Sequence, residues 1–168
     1  MGLPYNDQIV GGLNNLYFMK AMLESTFTGF TQSNGTNQKI PNFIEQYAGL
    51  NPNYGDFNET DQEWICRESG FYKINIILSV QSADIDELRT TYIQVRLTED
   101  GSTQFIGQGA CDNRTQSSEG NIWTVACNVL NYIKAGSKID FIFSWQVDTG
   151  AGVSITNTIT HFSIQKIS

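Results

Sequence analysis

From Tyr72 to Val80 the chain alternates: Tyr72, Ile74, Ile76, Leu78 and Val80 are apolar, while Lys73, Asn75, Ser79 and Gln81 fall on the other parity. Side chains alternate across a β-strand, so this spacing predicts a long strand with one face committed to a core. Further strands are predicted at 90–98, 103–108, 121–132, 138–147 and 153–166, with shorter extended pieces at Thr26–Thr31 and Ile40–Tyr47. Trp64, Ile65 and Cys66 lead by a short turn into the first of them. Asn51-Pro52-Asn53-Tyr54-Gly55 and Ser33-Asn34-Gly35-Thr36 read as loops, Glu99-Asp100-Gly101 as a hairpin turn and Ala135-Gly136-Ser137 as a second short turn. With no convincing internal helix, the pattern is that of an all-β sandwich or jelly roll.

The strands differ in what they place on the second face. Residues 90–98 set Ile93, Val95 and Leu97 against Tyr92, Gln94, Arg96 and Thr98, and 138–147 set Ile139, Phe141, Phe143, Trp145 and Val147 against a mostly polar parity. Those are half-solvated strands. The strand at 70–81 instead carries Phe71 and Ile77 outside. Residues 121–132 carry Ile122, Ala126, Leu130 and Tyr132 opposite Trp123, Val125, Cys127 and Val129. In the last strand Val153, Ile155 and Ile159 share one parity, and Phe162 and Ile164 the other. Apolar residues on both faces imply that something covers the second one, and a homo-oligomer is the simplest cover.

At 168 residues the chain is long enough for one core. A net charge of −7, a pI near 4.5 and the lack of any Lys/Arg cluster argue against a nucleic-acid partner. Only 16% of residues are charged against 40% hydrophobic, so the surface is built largely of Asn, Gln, Ser and Thr, a composition suited to meeting protein or glycan. No segment approaches transmembrane length, so no membrane insertion is expected, and the start of the chain does not read as a signal peptide. Cys66, Cys111 and Cys127 have no metal-binding spacing; Cys66 and Cys127 read as buried thiols within strands. Sequons at Asn34, Asn58 and Asn113 read as chance in an Asn/Thr-rich chain made in a cytoplasm.

Residues 1–24 form a segment of different character. Ile9, Val10, Leu13, Leu16, Tyr17 and Leu23 approximate a helical stripe interrupted by Gly11 and Gly12, and the segment is read as an N-terminal docking arm ahead of a domain at 25–168.

Four motifs then occur in order: Ser69-Gly70-Phe71-Tyr72, Val95-x-Leu97-x-x-Asp100-Gly101, Ile133-x-Ala135-Gly136-x-x-Ile139, and Ile159-Thr160-His161-Phe162-Ser163-Ile164. Together they resemble the complement-component-1q and tumour-necrosis-factor-like superfamily over residues 25–168. The resemblance implies a ten-stranded jelly roll that assembles as a homotrimer, with the strands at 70–81, 121–132 and 153–166 facing the threefold axis. It places Phe71, Ile77, Ile122, Leu130, Tyr132, Ile159 and His161 at the trimer interface. Three departures stand out: His161 replaces the closing Gly, Ser137 replaces the Asp of the turn, and no collagen-like stalk is present.

Chemistry is sparse. With His161 as the single histidine, a jelly-roll metal site built on several His ligands is excluded. No nucleophile motif, P-loop or dinucleotide fingerprint occurs, so no catalytic residue and no cofactor is assigned. Asp84, Asp86 and Glu87 space carboxylates as a Ca²⁺ site would, but lack the Gly and downstream Glu of a dedicated loop and read as a solvated connection. Glu59, Asp61 and Glu63 read the same way. Tyr47, Tyr54 and Phe57 are candidates for a ligand-binding loop, against the alternative that they cap the core. The expectation is a non-enzymatic trimer on a virion, as capsid decoration, spike or receptor-binding head of a virus or bacteriophage. It would dock on a capsid or other virion protein through residues 1–24 and present loops to a host receptor or glycan. The alternatives are a cellular recognition head and, third, a glycan-active enzyme, for which no carboxylate pair is evident.

Overall fold

A computed structural model describes residues 18–30, 34–48, 54–82, 88–112, 122–147 and 152–167. Those residues form twelve strands. The first six are β1 (Phe18–Leu23), β2 (Phe27–Phe30), β3 (Asn34–Lys39), β4 (Phe43–Ala48), β5 (Gly55–Asn58) and β6 (Glu63–Cys66). The longer six are β7 (Gly70–Ser82), β8 (Leu88–Glu99), β9 (Ser102–Asp112), β10 (Ile122–Ile133), β11 (Lys138–Val147) and β12 (Val153–Lys166). They make two antiparallel sheets of six strands each. The first runs β10-β7-β12-β1-β4 with β2 also paired to β12; the second runs β5-β6-β11-β8-β9 with β3 also paired to β11.

The alternation at Tyr72–Val80 becomes the inward face of β7, where Tyr72, Ile74, Ile76, Leu78 and Val80 are all fully buried. Trp123, Val125 and Cys127 of β10 join them from one side, and Phe162 and Ile164 of β12 from the other. The second sheet answers with Ile93, Val95 and Leu97 of β8 and Phe141, Phe143 and Trp145 of β11. Aromatic rings knit the layers: Phe162 lies 4.5 Å from Phe141 and 4.9 Å from Phe43, and Phe30 lies 4.5 Å from Trp145. Edge-to-face and tilted pairs of this kind add to area burial as the main source of stability. Tyr72 also donates its hydroxyl to the Glu68 carbonyl, 2.5 Å away, so this buried ring satisfies its polar end.

Both long edges of the sandwich are closed. The free edge of β4 is capped by side chains from the β5–β6 turn. The Phe43 N–H donates to Gln62 Oε1 at 2.8 Å, Gln62 Nε2 donates back to the Phe43 carbonyl at 3.0 Å, and the Glu45 N–H donates to Glu59 Oε1 at 2.8 Å. An amide that mimics a neighbouring strand blunts an edge that would otherwise pair with another chain. At the opposite side β9 runs close against β10, and a Cβ at Gly109 would land on the Ala126 carbonyl oxygen. The hairpin between β8 and β9 turns at Asp100 and Gly101, whose φ angles of 50° and 78° are those of a type I′ turn.

The structure departs from the sequence expectations in four places. Asn34–Lys39, read in part as a loop, is strand β3 on β11. Gly55–Asn58, placed in a loop-rich region, is strand β5 on β6. The helical stripe expected to end at Leu23 gives way to a strand, because Met19, Ala21 and Leu23 are buried at period two while β1 pairs with both β12 and β4. Residues 1–17 lie outside the described residues, as do 51–53. The expected ten strands thus become twelve through short strands that pair at the flanks.

β12 supplies the fourth departure. Its register shifts between Thr156 and His161, where the strand bulges. The Ser79 N–H donates to Thr160 Oγ1 at 2.9 Å, a side chain standing in for the lost ladder carbonyl. The bulge resets the parity, so Val153, Ile155, Phe162 and Ile164 all point inward, and only Ile159, on the bulge itself, is exposed. β12 is therefore not apolar on both faces, as straight alternation implied.

Candidate functional site: the outward face of the first sheet

Strand register sets the outward side chains of β10, β7 and β12 in rows. Tyr132 stands opposite Phe71, their rings edge to face at 5.4 Å. Next come Leu130, Lys73 and Gln165, then Asn128, Asn75 and Ser163, with Asn75 Nδ2 donating to Ser163 Oγ at 3.3 Å. Ala126, Ile77 and His161 form the central row, continued by Met22 of β1 and Ile44 of β4. Thr124, Ser79 and Thr156 follow, and Ile122 ends the face beside Gln81 and Ser154.

Among the described residues this face collects most of the exposed apolar bulk. Of the large hydrophobic residues exposed among the described residues, Phe71, Ile122, Leu130, Tyr132, Ile159 and Ile167 belong to it; only Tyr92 and Phe105 belong to the second sheet. Leu130 is the extreme, with 67% of its surface in water. A groove of about 440 Å³ runs between Lys73, Asn128, Leu130 and Ile167 at the Phe71–Tyr132 end. Ile167 is tied there by its N–H, which donates to the Phe71 carbonyl at 2.7 Å. Every residue assigned from sequence to a subunit interface lies on this one sheet, Ile77 and His161 half-buried and the other five exposed. Ile167, Met22 and Ile44 were missed. Ile167 follows the last strand, where alternation from buried Lys166 was the available signal; the other two needed the pairing of β1 and β4.

His161 Nδ1 lies 2.8 Å from the Ile159 carbonyl, which can only accept, so Nδ1 carries a proton. Among the described residues no carboxylate is hydrogen-bonded to it and no three metal-ligating side chains converge. Asp84, Asp86 and Glu87 lie outside the described residues. Cys66 and Cys127 are free and buried, and burial pushes both thiols up, away from the thiolate that a nucleophile needs.

The aromatic loop expected to bind a ligand is not displayed as one. Tyr54 is buried with Lys166 Nζ 4.3 Å from its ring centre, and Phe57 packs edge to face on Phe162 at 5.2 Å. Tyr54 belongs to the core and Phe57, on β5, packs half-buried against it. The side chain of Tyr47 lies outside the described residues.

The second sheet turns a different face outward. Asp140, 4% exposed, accepts from Arg96 through both oxygens, at 2.8 and 2.5 Å, and Lys39 Nζ lies 3.2 Å from it. Lys39 continues to Glu63 at 2.8 Å, and Glu63 to Lys138 at 2.9 Å. The hydrogen bond to Asp140 raises the Arg96 guanidinium further above its ordinary value, more than burial lowers it. Burial alone would raise the Glu63 carboxyl, but the hydrogen bonds from Lys39 and Lys138 outweigh it and hold that group below the usual carboxylate range.

The protein is an all-β sandwich of the tumour-necrosis-factor-like jelly-roll type. Solved structures with this fold include an Eiger TNF from S. frugiperda, 10% identical, with 91% of this chain and 92% of that one covered at a TM-score of 0.60. Murine APRIL at pH 8.5 is 7% identical, covering 91% of this chain and all of that one at a TM-score of 0.63. Murine APRIL at pH 5.0 is 8% identical with the same coverage and a TM-score of 0.65. At such identities the likeness is one of fold. No protein-family model matches the chain, and no curated protein sequence does.

Proposed function

We propose that this protein is a non-enzymatic binding head that works as a homotrimer, joined through the outward face of β10, β7 and β12. The observation that carries the reading is the gathering of Phe71, Ile122, Leu130, Tyr132, Ile159 and Ile167 on that one face, while the second sheet's outward side is bridged by ion pairs. Exposed apolar surface of this extent marks an interaction site. The face belongs to the three strands that the superfamily resemblance directs to a threefold axis. An obligate interface of this kind buries about 2,000–5,000 Å². Light scattering on the full chain is expected to give three times the chain mass, and a stable monomer at micromolar concentration would overturn the reading.

We further propose that the trimer is carried on a virion, with the segment ahead of β1 docked on a capsid or other virion protein. Because Phe18–Leu23 is a strand of the first sheet, the docking segment is narrowed to residues 1–17. Deleting those residues should leave a trimer that no longer cosediments with virus particles. A second reading, a cellular head that binds a receptor, is favoured by the fold shared with Eiger TNF and APRIL. Recovery of the protein only in the particle-free fraction of its producing cells would select that one.

A further inference from the structure

Tyr92 is one of two large hydrophobic residues exposed on the second sheet among the described residues, and its surroundings set it apart from the other, Phe105. It projects outward from β8 with Ser144 of β11 opposite it on one side and Ala110 of β9 on the other. Both neighbours are small, and 37% of the Tyr92 surface is left in water. Beside it runs a groove of about 260 Å³, flanked by Thr36, Thr90, Ser144 and Gln146. Gly35 and Trp145 complete the lining, with the Trp145 indole itself packed on the core side against Phe30 and Phe143. None of these described lining residues carries a charge.

We propose that this groove binds a single pyranose ring of a neutral glycan, stacked on Tyr92. A sugar ring presents an apolar C–H face to an aromatic side chain and hydroxyls at its rim. Here the hydroxyls of Thr36, Thr90 and Ser144 and the amide of Gln146 surround the stacking ring. The Ser144 hydroxyl is already oriented: its oxygen accepts the Asn37 N–H at 2.9 Å, which leaves its own proton to donate. The volume is slightly below the range of about 300–1,000 Å³ for small-molecule pockets, the scale of one ring rather than a chain. An anionic sugar is disfavoured, since no described lining residue is a cation, the chain carries −7, and Arg96 on the same strand is held by Asp140. The site is complete within one subunit and lies on the sheet opposite the apolar face, so it does not depend on the trimer.

The test is amide chemical-shift titration of the full ¹⁵N-labelled chain with methyl glycosides of glucose, galactose, mannose and N-acetylglucosamine. At least one is expected to shift the amides of Thr36, Thr90, Tyr92, Ser144 and Gln146, with a dissociation constant on the order of 1 mM. Tyr92→Ala is expected to weaken that binding about tenfold or more, corresponding to about 1.4 kcal/mol. Tyr92→Phe keeps the stacking face and most of the affinity. Phe105→Ala, on the same sheet but outside the groove, should change nothing. No groove shift with any of the four sugars overturns the proposal. So does a response that survives Tyr92→Ala in a protein whose remaining spectrum is unchanged, or one lost equally in Phe105→Ala.

Discussion

Outward from β11 and β8, Arg96, Asp140, Lys39, Glu63 and Lys138 form a continuous run of ion pairs, whereas outward from β10 and β7 stand Leu130, Tyr132, Phe71 and Ile77 with Lys73 as the charge among them. The contrast matters because the two surfaces respond oppositely to a partner. Covering the charged run would strip water from several ions at once, a loss that attraction within the run does not fully offset. Covering the apolar face removes hydrocarbon from water at a gain of about 25 cal/mol per Å². In the proposed assembly the first sheet is therefore the side on which association is favourable, and the charged run of the second is left to water.

That contrast can be broken most sharply at Ile77. Ile77→Asp puts a carboxylate in the central row between Ala126 and His161 and is expected to convert the proposed trimer to monomers, seen as a threefold fall in mass by light scattering. Far-ultraviolet circular dichroism should be retained, because Ile77 points away from the core. A variant that stays trimeric would show that this face is not the interface.

On the opposite sheet Asp140→Ala removes the acceptor of Arg96 and one of the two carboxylates beside Lys39, which keeps Glu63. Leaving a buried cation unpaired costs about 3–5 kcal/mol. The low end or less is expected here, since the Arg96 side chain is 31% exposed, with a lower unfolding midpoint and an unchanged mass. A loss of trimer would mean that the second sheet also takes part in assembly. Gly109→Val tests the seam where the two sheets meet. Its side chain would be driven onto the Ala126 carbonyl, and a cost of about 1–3 kcal/mol is expected in denaturant unfolding, as for other overpacked sites.

Smaller effects follow pH. Because Glu63 titrates lower in the folded protein than in the unfolded chain, its ion pairs contribute stability that is fully present above the ordinary value of 4.5 and is lost as pH falls through the depressed one. Glu63→Gln should flatten that acid limb of the unfolding midpoint. Glu45 behaves oppositely: burial foremost, then the charges of Glu59 and Asp56, raise its carboxyl. Its ionised form costs stability above the raised value, and the cost vanishes as pH falls below 4.5. Glu45→Gln should give a slight rise in thermal midpoint near neutral pH and none in acid.

How far these faces could be read in advance differs strand by strand. β7, β8, β10 and β11 are long and alternate cleanly, so the inward and outward sets, including Phe71, Leu130 and Tyr132, follow from period two. The Asp100-Gly101 turn was equally legible, since both residues must take positive φ and this pair tolerates it. β3 was not, because Asn34-Gly35-Thr36-Asn37-Gln38-Lys39 has no apolar face of its own and is a strand only through its ladder with β11. β1 read as a helix because Gly11 and Gly12 only weaken the stripe that continues into it. The expected site also split: its apolar face stands on one sheet, while Tyr54 and Phe57 turned into the core.

Local alternation is dictated by where a side chain must point on an extended backbone, and that suffices to assign an all-β sandwich and two apolar faces on β7 and β10. Where a strand breaks step is a different matter. The bulge of β12 depends on Thr160 reaching the Ser79 N–H of another strand, and the capping of β4 depends on Gln62 finding Phe43. These bonds join residues far apart along the chain, so no spacing records them. The tertiary structure alone decides that Ile155 and Phe162 share the core while Ile159 is left outside.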